Sequence, residues 1–378
     1  MSSSKKFDLT YVTIDSISEG VGSSQILPLL RKIAEAGLAI NLISFEKNPP
    51  SKNVVLDLEK SKILWTKRAF EKPGYLGGLS RLLEMRSDIT NTEIVHARSD
   101  IPAVAAILSR EAPILWDIRS LWADQRAFME TNPLKKQAMG SLRILESIAS
   151  IGSSAISTLT ASVVPVLEAR HKHLPKLKIV VPTAVDLDCF KFVSQLPSIN
   201  RALYSGTYND YYDLSLSKKF IEEMSKLGPL EVKWARPKES TRNALNAGED
   251  SSFVANQIEM AEIIPNYSFG MSICKIGAGP SLKAAMPTKA AEFLACGRPM
   301  VINAGLGDLD KYIEEFDAGV VLDGTDKNLV DKAQHLSELL ADPGTPSRCR
   351  ALAEKYFDVE EGVRKYLETY SLMLSNSH

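Results

Sequence analysis

Short segments rich in β-branched residues alternate with amphipathic helical segments along almost the whole chain. Residues 9–15 are predicted to form a strand, residues 24–37 a helix that ends at Gly37, and residues 39–46 the next strand. A second series of the same kind begins with residues 201–206. Such alternation is typical of parallel sheets covered by helices on both faces. The sequence therefore predicts two similar α/β units, one in each half of the chain.

The length of the chain fits this division, because 378 residues correspond to about two domains. A stretch without strong periodicity, residues 186–199, separates the two series and contains Pro197. We expect a first domain of residues 1–190 and a second of residues 191–357. The last helical segment, residues 358–378, is expected to pack back on the first domain.

The composition argues against several classes of protein. The 45 lysines and arginines nearly balance the 46 acidic residues, so no global positive field exists to hold nucleic acid. The four cysteines lie far apart and the histidines do not cluster with them, which disfavours zinc sites and disulfide frameworks. The N-terminus has no apolar signal segment, and no window approaches about 18 uninterrupted apolar residues. We expect a cytoplasmic protein that does not span a membrane.

A glycine loop, GVGSSQ, follows the first predicted strand and opens the first predicted helix. Its members Gly20, Gly22 and Ser23 resemble part of a dinucleotide-binding pattern, and Glu46 ends the next strand as that pattern requires. Gln25 stands where the third small residue belongs, so the pattern is incomplete. Three alternatives remain open: a dinucleotide site of an oxidoreductase, a plain strand-to-helix turn, and the wall of a substrate crevice.

Charged and aromatic residues gather after two later strands of the first series. His96 and Arg98 lie at the end of one strand, and Asp117, Arg119 and Trp122 follow the next. Packing such groups into a core costs desolvation, so their density favours a functional site. For His96 a satisfied core histidine is an equal alternative.

The densest motif is CKIGAGPSLKAAMPTKAAEFLACGRPMVIN, which starts at Cys274. A loop with Gly277, Gly279 and Ser281 precedes a helix that opens near Thr288. The first turn of a helix offers unpaired N–H groups and a positive dipole end, which suit a diphosphate. The dipole disfavours a lysine there, so Lys289 indicates an anionic partner, and Glu292 one turn later could accept hydrogen bonds from sugar hydroxyls. The alternative is an exposed lysine–glutamate pair.

Two DLD strings, residues 186–188 and 308–310, are candidate metal ligands of the kind that hold Mg²⁺ or Mn²⁺ on a nucleotide sugar. Three-residue matches are common by chance, and neither string has supporting ligands nearby in the sequence. We therefore expect no metal site.

The segment PTKAAEFLACGRPMVIN, residues 287–303, resembles the donor-site signature of the retaining glycosyltransferases of family four, the "group 1" set with the GT-B fold. Residues 180–190 are similar to the interdomain segment of that family, residues 201–208 to the start of its nucleotide-binding domain, and residues 20–37 to its N-terminal glycine loop and helix. The resemblance implies an α/β protein of the GT-B type, with two Rossmann-like doubly wound domains that face a central cleft.

The same resemblance implies a transferase of polysaccharide biosynthesis. It would move a sugar from a nucleotide diphosphate sugar to a glycan or lipid-linked acceptor, with retention of configuration and with neither metal nor cofactor. Lys289, Glu292, Asp117 and Arg119 are the expected catalytic residues. The donor would bind to Gly206, Thr207, Arg236, Gly277, Gly279, Ser281 and Thr288 together with Lys289 and Glu292, and the acceptor side would include Gly20, Gly22, Ser23, His96, Arg98 and Trp122.

The chain departs from the family pattern at two places. Ala284 stands where many members have a first glutamate, and Thr207 begins the stretch in which they have a basic pair. Arg236 or Lys233 could replace that pair. Two alternatives therefore stay open: a catalytically degenerate nucleotide-binding subunit of the same fold, and a nucleotide-sugar epimerase.

A lipid-linked acceptor would bring the first domain to the inner face of a membrane. The basic, apolar segments 133–151 and 170–178 are the candidates for such a peripheral contact. The alternative for both is a solvated helix face.

Overall fold

The computed structural model describes residues 7–71, 74–206, 209–236, 252–254 and 257–376. The chain packs as two compact units. The first comprises the described residues of Met1–Ala123, Gln137–Val181 and Val359–His378, and the second those of Asp124–Lys136 and Pro182–Asp358.

The first unit is built on a sheet of seven parallel strands in the order β3-β2-β1-β4-β5-β6-β7. All seven residues of its second strand are buried, as expected of a strand covered on both faces. The strands are β1 Phe7–Val12, β2 Ile40–Glu46, β3 Leu64–Ala69, β4 Thr92–Arg98, β5 Ile114–Ile118, β6 Ala155–Thr158 and β7 Leu177–Val180.

Helices connect these strands, and one short π-helical turn, Gly22–Ile26, leads into the first of them. The division between the two units falls inside α5 and again inside α6. The helices are α1 Leu27–Glu35, α2 Lys52–Lys60, α3 Gly74–Asp88, α4 Asp100–Ser109, α5 Trp122–Met129, α6 Pro133–Ser141, α7 Arg143–Gly152 and α8 Val164–Arg170.

The second unit has a sheet of six parallel strands in the order β10-β9-β8-β11-β12-β13. The strands are β8 Asn200–Ser205, β9 Leu230–Arg236, β10 Ser252–Val254, β11 Phe269–Ser272, β12 Met300–Asn303 and β13 Gly319–Leu322. The helices are α9 Leu214–Leu227, α10 Gln257–Ile263, α11 Pro280–Lys283, α12 Thr288–Ala295, α13 Leu309–Phe316, α14 Leu329–Ala341, α15 Thr345–Tyr356 and, belonging to the first unit, α16 Val359–Ser375.

The last helix, α16, completes the core of the first unit. Tyr366, Tyr370 and Met373 on this helix are buried in one cluster with apolar residues of β1, β2 and α1. Lys32 on α1 forms an ion pair of 2.8 Å with Glu360 at the start of α16. The last helix therefore packs into the same core as the first strands and the first helix of the chain.

Arg298, between α12 and β12, is fully buried and holds a connecting segment in the second unit. Its guanidinium group donates to the carbonyl oxygens of Val193 at 3.0 Å, Gln195 at 2.9 Å and Pro265 at 2.8 Å. Three charge-assisted hydrogen bonds to main-chain oxygens offset the cost of burying this cation.

Both sheets have the strand order of doubly wound folds. The order reverses between β1 and β4 in the first unit and between β8 and β11 in the second. At such a reversal the loops after the two strands turn to opposite faces of the sheet and leave a crevice at the carboxyl ends. Each unit therefore has one position at which a ligand is expected.

Among the described residues, no helix is both long enough and apolar enough to cross a membrane.

Candidate functional site

The crevice of the second unit begins at Gly206, directly after β8. Its φ is +93°, which favours glycine, and its N–H donates to the carbonyl of Ala235 at 2.9 Å. Its own carbonyl accepts a hydrogen bond of 3.0 Å from the indole of Trp234. A Cβ atom at this position would lie 3.9 Å from Nζ of Lys289. The structure thus brings together two predicted donor-side residues that are far apart in sequence; a third, Thr207, lies outside the described residues.

Lys289 turns its charge inward at the first turn of α12. Its stem is half-buried, but the ammonium nitrogen itself is buried and lies 4.6 Å from the ring centre of Tyr212. Burial lowers the Lys289 pKa to about 8, although the nearby Cys274 and Glu292 act to raise it. The alternative of an exposed lysine–glutamate pair is therefore wrong.

Glu292 lies one helical turn further along α12 and is 8% exposed. Burial raises its pKa to about 7, and the charge of Lys289 opposes that shift only in part. The pKa values of these two groups move toward each other because desolvation outweighs their mutual attraction. Perturbed pKa values at the crevice of a doubly wound sheet are typical of functional sites.

The glycine loop lies between β11 and α12. It forms a short 3₁₀ turn over Ile276–Ala278, and Gly279 then adopts a φ of +60° before α11. A Cβ atom on Gly277 would lie 3.7 Å from the ring of Phe128. Ser281 is buried, donates to the carbonyl of Ala278 at 2.9 Å and lies 3.2 Å from the hydroxyl of Tyr211.

Two further donor-side predictions fall at the ends of regular elements. Thr288 is the first residue of α12, and the preceding Pro287 provides no side-chain cap. Arg236 is the last residue of β9, at the same sheet edge as Gly206, and is half-buried. At position 284 the family pattern has a glutamate, whereas this chain has an alanine that is 1% exposed. The site therefore has no carboxylate at this buried position.

Several charged groups are paired at the crevice of the first unit. Asp117 is fully buried, with His96 Nε2 at 3.3 Å, an Arg119 nitrogen at 3.4 Å and an Arg98 nitrogen at 3.7 Å from its carboxylate oxygens. Arg98 also forms an ion pair of 3.1 Å with Asp15, which joins the loops after β4 and β1. Although burial opposes it, the charge of Arg119 and the contact with His96 hold the pKa of Asp117 well below its usual range.

His96 is enclosed by three tyrosines. Its Nδ1 lies 2.7 Å from the hydroxyl of Tyr370, and its ring packs 4.5 Å from that of Tyr11 and 4.9 Å from that of Tyr366. Burial lowers the His96 pKa, although Asp117 opposes the shift. Sequence reasoning did not find these tyrosines; the i, i+4 spacing of Tyr366 and Tyr370 on one helix face was the available signal. The role of His96 on the acceptor side stays a prediction.

The first glycine loop is held by Glu46. The carboxylate accepts from Ser16 Oγ at 2.7 Å, from the N–H of Ile17 at 2.9 Å and from Ser18 Oγ at 2.9 Å. A Cβ atom on Gly22 would lie 1.9 Å from the carbonyl oxygen of Ser16, so only glycine fits. Because Glu46 is engaged in holding this loop, it is not presented to a ribose as the dinucleotide alternative requires.

Three predicted residues on the acceptor side, Gly20, Ser23 and Trp122, are less buried than His96 and Arg98. Gly20 adopts a φ of +50°, and Ser23 donates to its carbonyl at 3.0 Å in an exposed turn. Trp122 begins α5 and is half-buried. The acceptor role of all three stays a prediction.

Aspartates of the two DLD strings accept hydrogen bonds from main-chain N–H groups. Asp186 accepts from the N–H groups of Asp188 at 2.9 Å and Cys189 at 3.2 Å, and Asp310 accepts from that of Gly305 at 2.9 Å. Within the described ranges, no group of three histidine, cysteine, aspartate or glutamate side chains is arranged to hold a metal ion.

No protein-family model and no curated protein matches this sequence. Solved structures do match it along almost its whole length. Sucrose-phosphate synthase from Thermosynechococcus elongatus is 13% identical, with a TM-score of 0.72 over 97% of this chain and 99% of that one. HepE of Anabaena in complex with UDP and glucose is 14% identical, with a TM-score of 0.67 over 97% and 99%.

A third similar structure is WaaG, a glycosyltransferase involved in lipopolysaccharide biosynthesis. It is 11% identical, with a TM-score of 0.67 over 97% of this chain and 99% of that one. These similarities, with the two Rossmann-like sheets, identify the fold as GT-B and confirm the predicted fold class.

Proposed function

We propose that this chain, which has the fold of the GT-B glycosyltransferases, moves a sugar from a nucleotide diphosphate sugar to a glycan or lipid-linked acceptor. The observation that carries the proposal is the buried Lys289 ammonium, which faces Gly206 at the strand-order reversal of the second unit. HepE, one of the similar structures, has been solved with UDP-glucose. A uridine diphosphate sugar is therefore the first donor to test.

The donor diphosphate would lie against Lys289 and the first turn of α12. The N–H groups of that turn have no side-chain cap, and the helix dipole adds positive potential at the same place. Gly277 and Gly279 would let the main chain approach the phosphates closely. Glu292, one turn inside, would accept hydrogen bonds from hydroxyls of the ribose or the sugar.

Transfer would proceed with retention and without a metal ion. Negative charge grows on the diphosphate as the sugar leaves, and fixed dipoles with one buried cation stabilise it because they need no reorganisation. The leaving phosphate would take the proton of the acceptor, which attacks from the same face, so no protein nucleophile is required. Arg119 is paired with the buried Asp117, and its own side chain is 12% exposed. Its positively charged guanidinium group would therefore contact the acceptor.

We further propose that the acceptor side lies at an anionic membrane surface, because α7 is an inside-out amphipathic helix. It buries Glu146, which accepts from His171 at 2.7 Å, and exposes Ile144, Ile148 and Ile151 at helical spacing. These isoleucines are 63%, 38% and 68% exposed. Three aligned isoleucines turned toward water are a feature of interaction surfaces.

A helix of the same layer carries further exposed apolar residues. The helix α4 packs against both α7 and α3, and α3 exposes Tyr75, Leu76, Leu79 and Leu83. Within residues 133–152 the exposed charges are Lys135, Lys136 and Arg143, whereas the single acid is the buried Glu146. Like charges on a second copy would repel this surface, and anionic headgroups would attract it.

Vesicle flotation tests the membrane contact. The wild type should float with vesicles of anionic phospholipid at low salt, and the variant Ile144→Ser/Ile151→Ser should not. Leu372→Ser, at a 50% exposed position on α16, is the matched control and should float like the wild type. Protein that stays at the bottom with anionic vesicles at low salt contradicts the membrane contact and leaves a soluble acceptor.

A thermal-shift series with nucleoside diphosphates and nucleotide sugars tests the donor. A ligand at 100 times its dissociation constant stabilises the folded state by about 2.7 kcal/mol. The stabilising nucleotide sugar is then incubated with and without candidate acceptors. Transfer of the sugar supports the proposal, release of free epimerised sugar without acceptor indicates an epimerase, and binding without either product indicates a degenerate subunit.

A further inference from the structure

The cation that faces the turn after β8 comes from α12, although the resemblance places a basic pair in the turn itself. Lys289 Nζ lies 3.9 Å from the Cβ position that a side chain at Gly206 would have, and 4.6 Å from the ring centre of Tyr212. We propose that Tyr212 is a positioning residue, whose ring face holds the Lys289 ammonium against the donor diphosphate. This inference rests on the proposed function.

The loop that carries Tyr212 is fastened to the end of β11. The N–H of Lys275 donates to Tyr211 at 2.9 Å and that of Asp213 to Ile273 at 2.9 Å, while Tyr212 forms an antiparallel bridge with Cys274. These bonds fix the main chain on both sides of the ring. The ring of Tyr212 is therefore a rigid surface on which a flexible lysine tip can be held.

A second contact ties this surface to the glycine loop. The ring of Tyr211 packs edge-on against that of Tyr212, with centroids 6.4 Å apart and planes at 84°, and its hydroxyl lies 3.2 Å from Ser281 Oγ. The two tyrosines thus connect the predicted diphosphate loop at Ser281 with the predicted diphosphate cation at Lys289. Both ends of the site are set by one short segment that sequence motifs do not include.

The ring face suits this task better than a carboxylate would. An aromatic face attracts an ammonium group but carries no net charge, so it does not compete with a phosphate as a carboxylate would. The nearby Cys274 thiol does not neutralise it either, because burial raises its pKa to about 12. A carboxylate at position 212 would instead compete with the anionic ligand for the lysine.

The test uses UDP and uridine as probes and the variants Tyr212→Phe and Tyr212→Leu. Phenylalanine keeps the ring and should leave the affinity for UDP within about twofold of the wild type, whereas leucine should lower it about tenfold with uridine affinity unchanged. Equal losses for both probes, or a folded leucine variant that binds UDP like the wild type, would overturn the inference.

A second test does not require that Tyr212→Leu folds. It moves the lysine from position 289 to position 212. Lys289→Met should lose UDP affinity, and Lys289→Met/Tyr212→Lys should regain part of it, because a lysine at position 212 reaches the space that the ring now borders. If relocation restores nothing while the protein remains folded, the ring does not lie at the phosphate position.

Nuclear magnetic resonance separates this inference from the proposed function. With ¹³C-labelled lysine, the ε-methylene signal of Lys289 should be shifted upfield by the ring current in the wild type and in Tyr212→Phe, but not in Tyr212→Leu. A wild type that shows the shift yet binds neither UDP, GDP nor ADP would contradict the proposed function, and only the contact between Lys289 and Tyr212 would remain established. Absence of the shift in the wild type would contradict the positioning role itself.

Discussion

The two units share one strand order but treat buried charge in opposite ways at the strand-order reversal. In the first unit, Asp117 lies among His96, Arg98 and Arg119, and the attraction of these groups outweighs burial, so the Asp117 pKa falls. In the second, burial outweighs attraction, so the pKa of Lys289 falls to about 8 and that of Glu292 rises to about 7. At the first crevice the attraction between buried charges therefore outweighs the cost of burying them, and at the second it does not.

The contrast predicts that substitutions at the two crevices change different properties: the stability of the fold in the first unit and ligand binding in the second. Removing a member of a compensated cluster leaves its partners buried and uncompensated, which destabilises the fold. Removing a group that the fold holds at a cost relieves that cost and weakens ligand binding instead. The variants below test this difference, from the largest expected effect to the smallest.

The largest effect is expected for Asp117→Asn. The variant keeps the shape of the side chain but leaves the buried Arg98 and the largely buried Arg119 beside a neutral group, so unfolding should become easier by about 3–5 kcal/mol. Urea denaturation of the two proteins measures the difference. Asp326→Asn, in an exposed ion pair with Lys219, is the control and should change nothing measurable. An equally small effect at both positions would falsify the mutual stabilisation of the buried charges in the first crevice.

Lys289→Met should lower the affinity for UDP about 10- to 100-fold, because a charge-assisted contact to phosphate is worth about 1.5–3 kcal/mol. The affinity for uridine should stay unchanged, and the melting temperature should stay the same or rise slightly. Isothermal titration of both ligands gives the comparison. Lys283→Met, at an exposed position on α11, is a matched control. Similar losses for UDP and uridine contradict a phosphate contact.

Glu292→Gln should stabilise the unliganded protein above pH 7. The folded-state pKa of this group is raised from 4.5 to about 7, so its contribution to stability is fully present below pH 4.5 and is lost as the pH rises through 7. The amide removes that loss, and the melting temperature should rise by about 2–4 °C per kcal/mol regained. Thermal unfolding at pH 4.5 and pH 8 measures it. A variant that is less stable at pH 8 assigns Glu292 a structural role.

Chelation should have the smallest effect. Asp186 and Asp310 of the DLD strings accept hydrogen bonds from nearby main-chain N–H groups, so EDTA should leave sugar transfer unchanged. The measurement is the initial rate with and without EDTA, and with Mg²⁺ or Mn²⁺ added back. A rate abolished by EDTA and restored by either ion contradicts the metal-free mechanism.

The sequence predicted the alternation of strands and helices well, because hydrophobic periodicity and glycine turns are local signals. Lys289 and Glu292 could be singled out for the same reason, since a lysine in the first turn of a helix is locally unfavourable; their role in donor binding stays a prediction. Tyr370 and His96 were not connected, because 274 residues separate them. Nor does a sequence pattern show that the Lys289 tip folds inward over Tyr212. Long-range contacts of this kind decide whether the charge of a buried residue is balanced by its neighbours.

The buried Arg298 affects how inactive variants of this protein should be interpreted. It lies in the same motif as Lys289, yet its guanidinium group donates to the main-chain oxygens of Val193, Gln195, Pro265 and Gly297. In a random-mutagenesis screen scored by activity alone, losses at positions 289 and 298 would look identical. Only the abundance of folded protein in the cell extract would separate them: loss of Arg298 frees the connecting segment and removes the protein, whereas loss of Lys289 leaves it abundant and inactive.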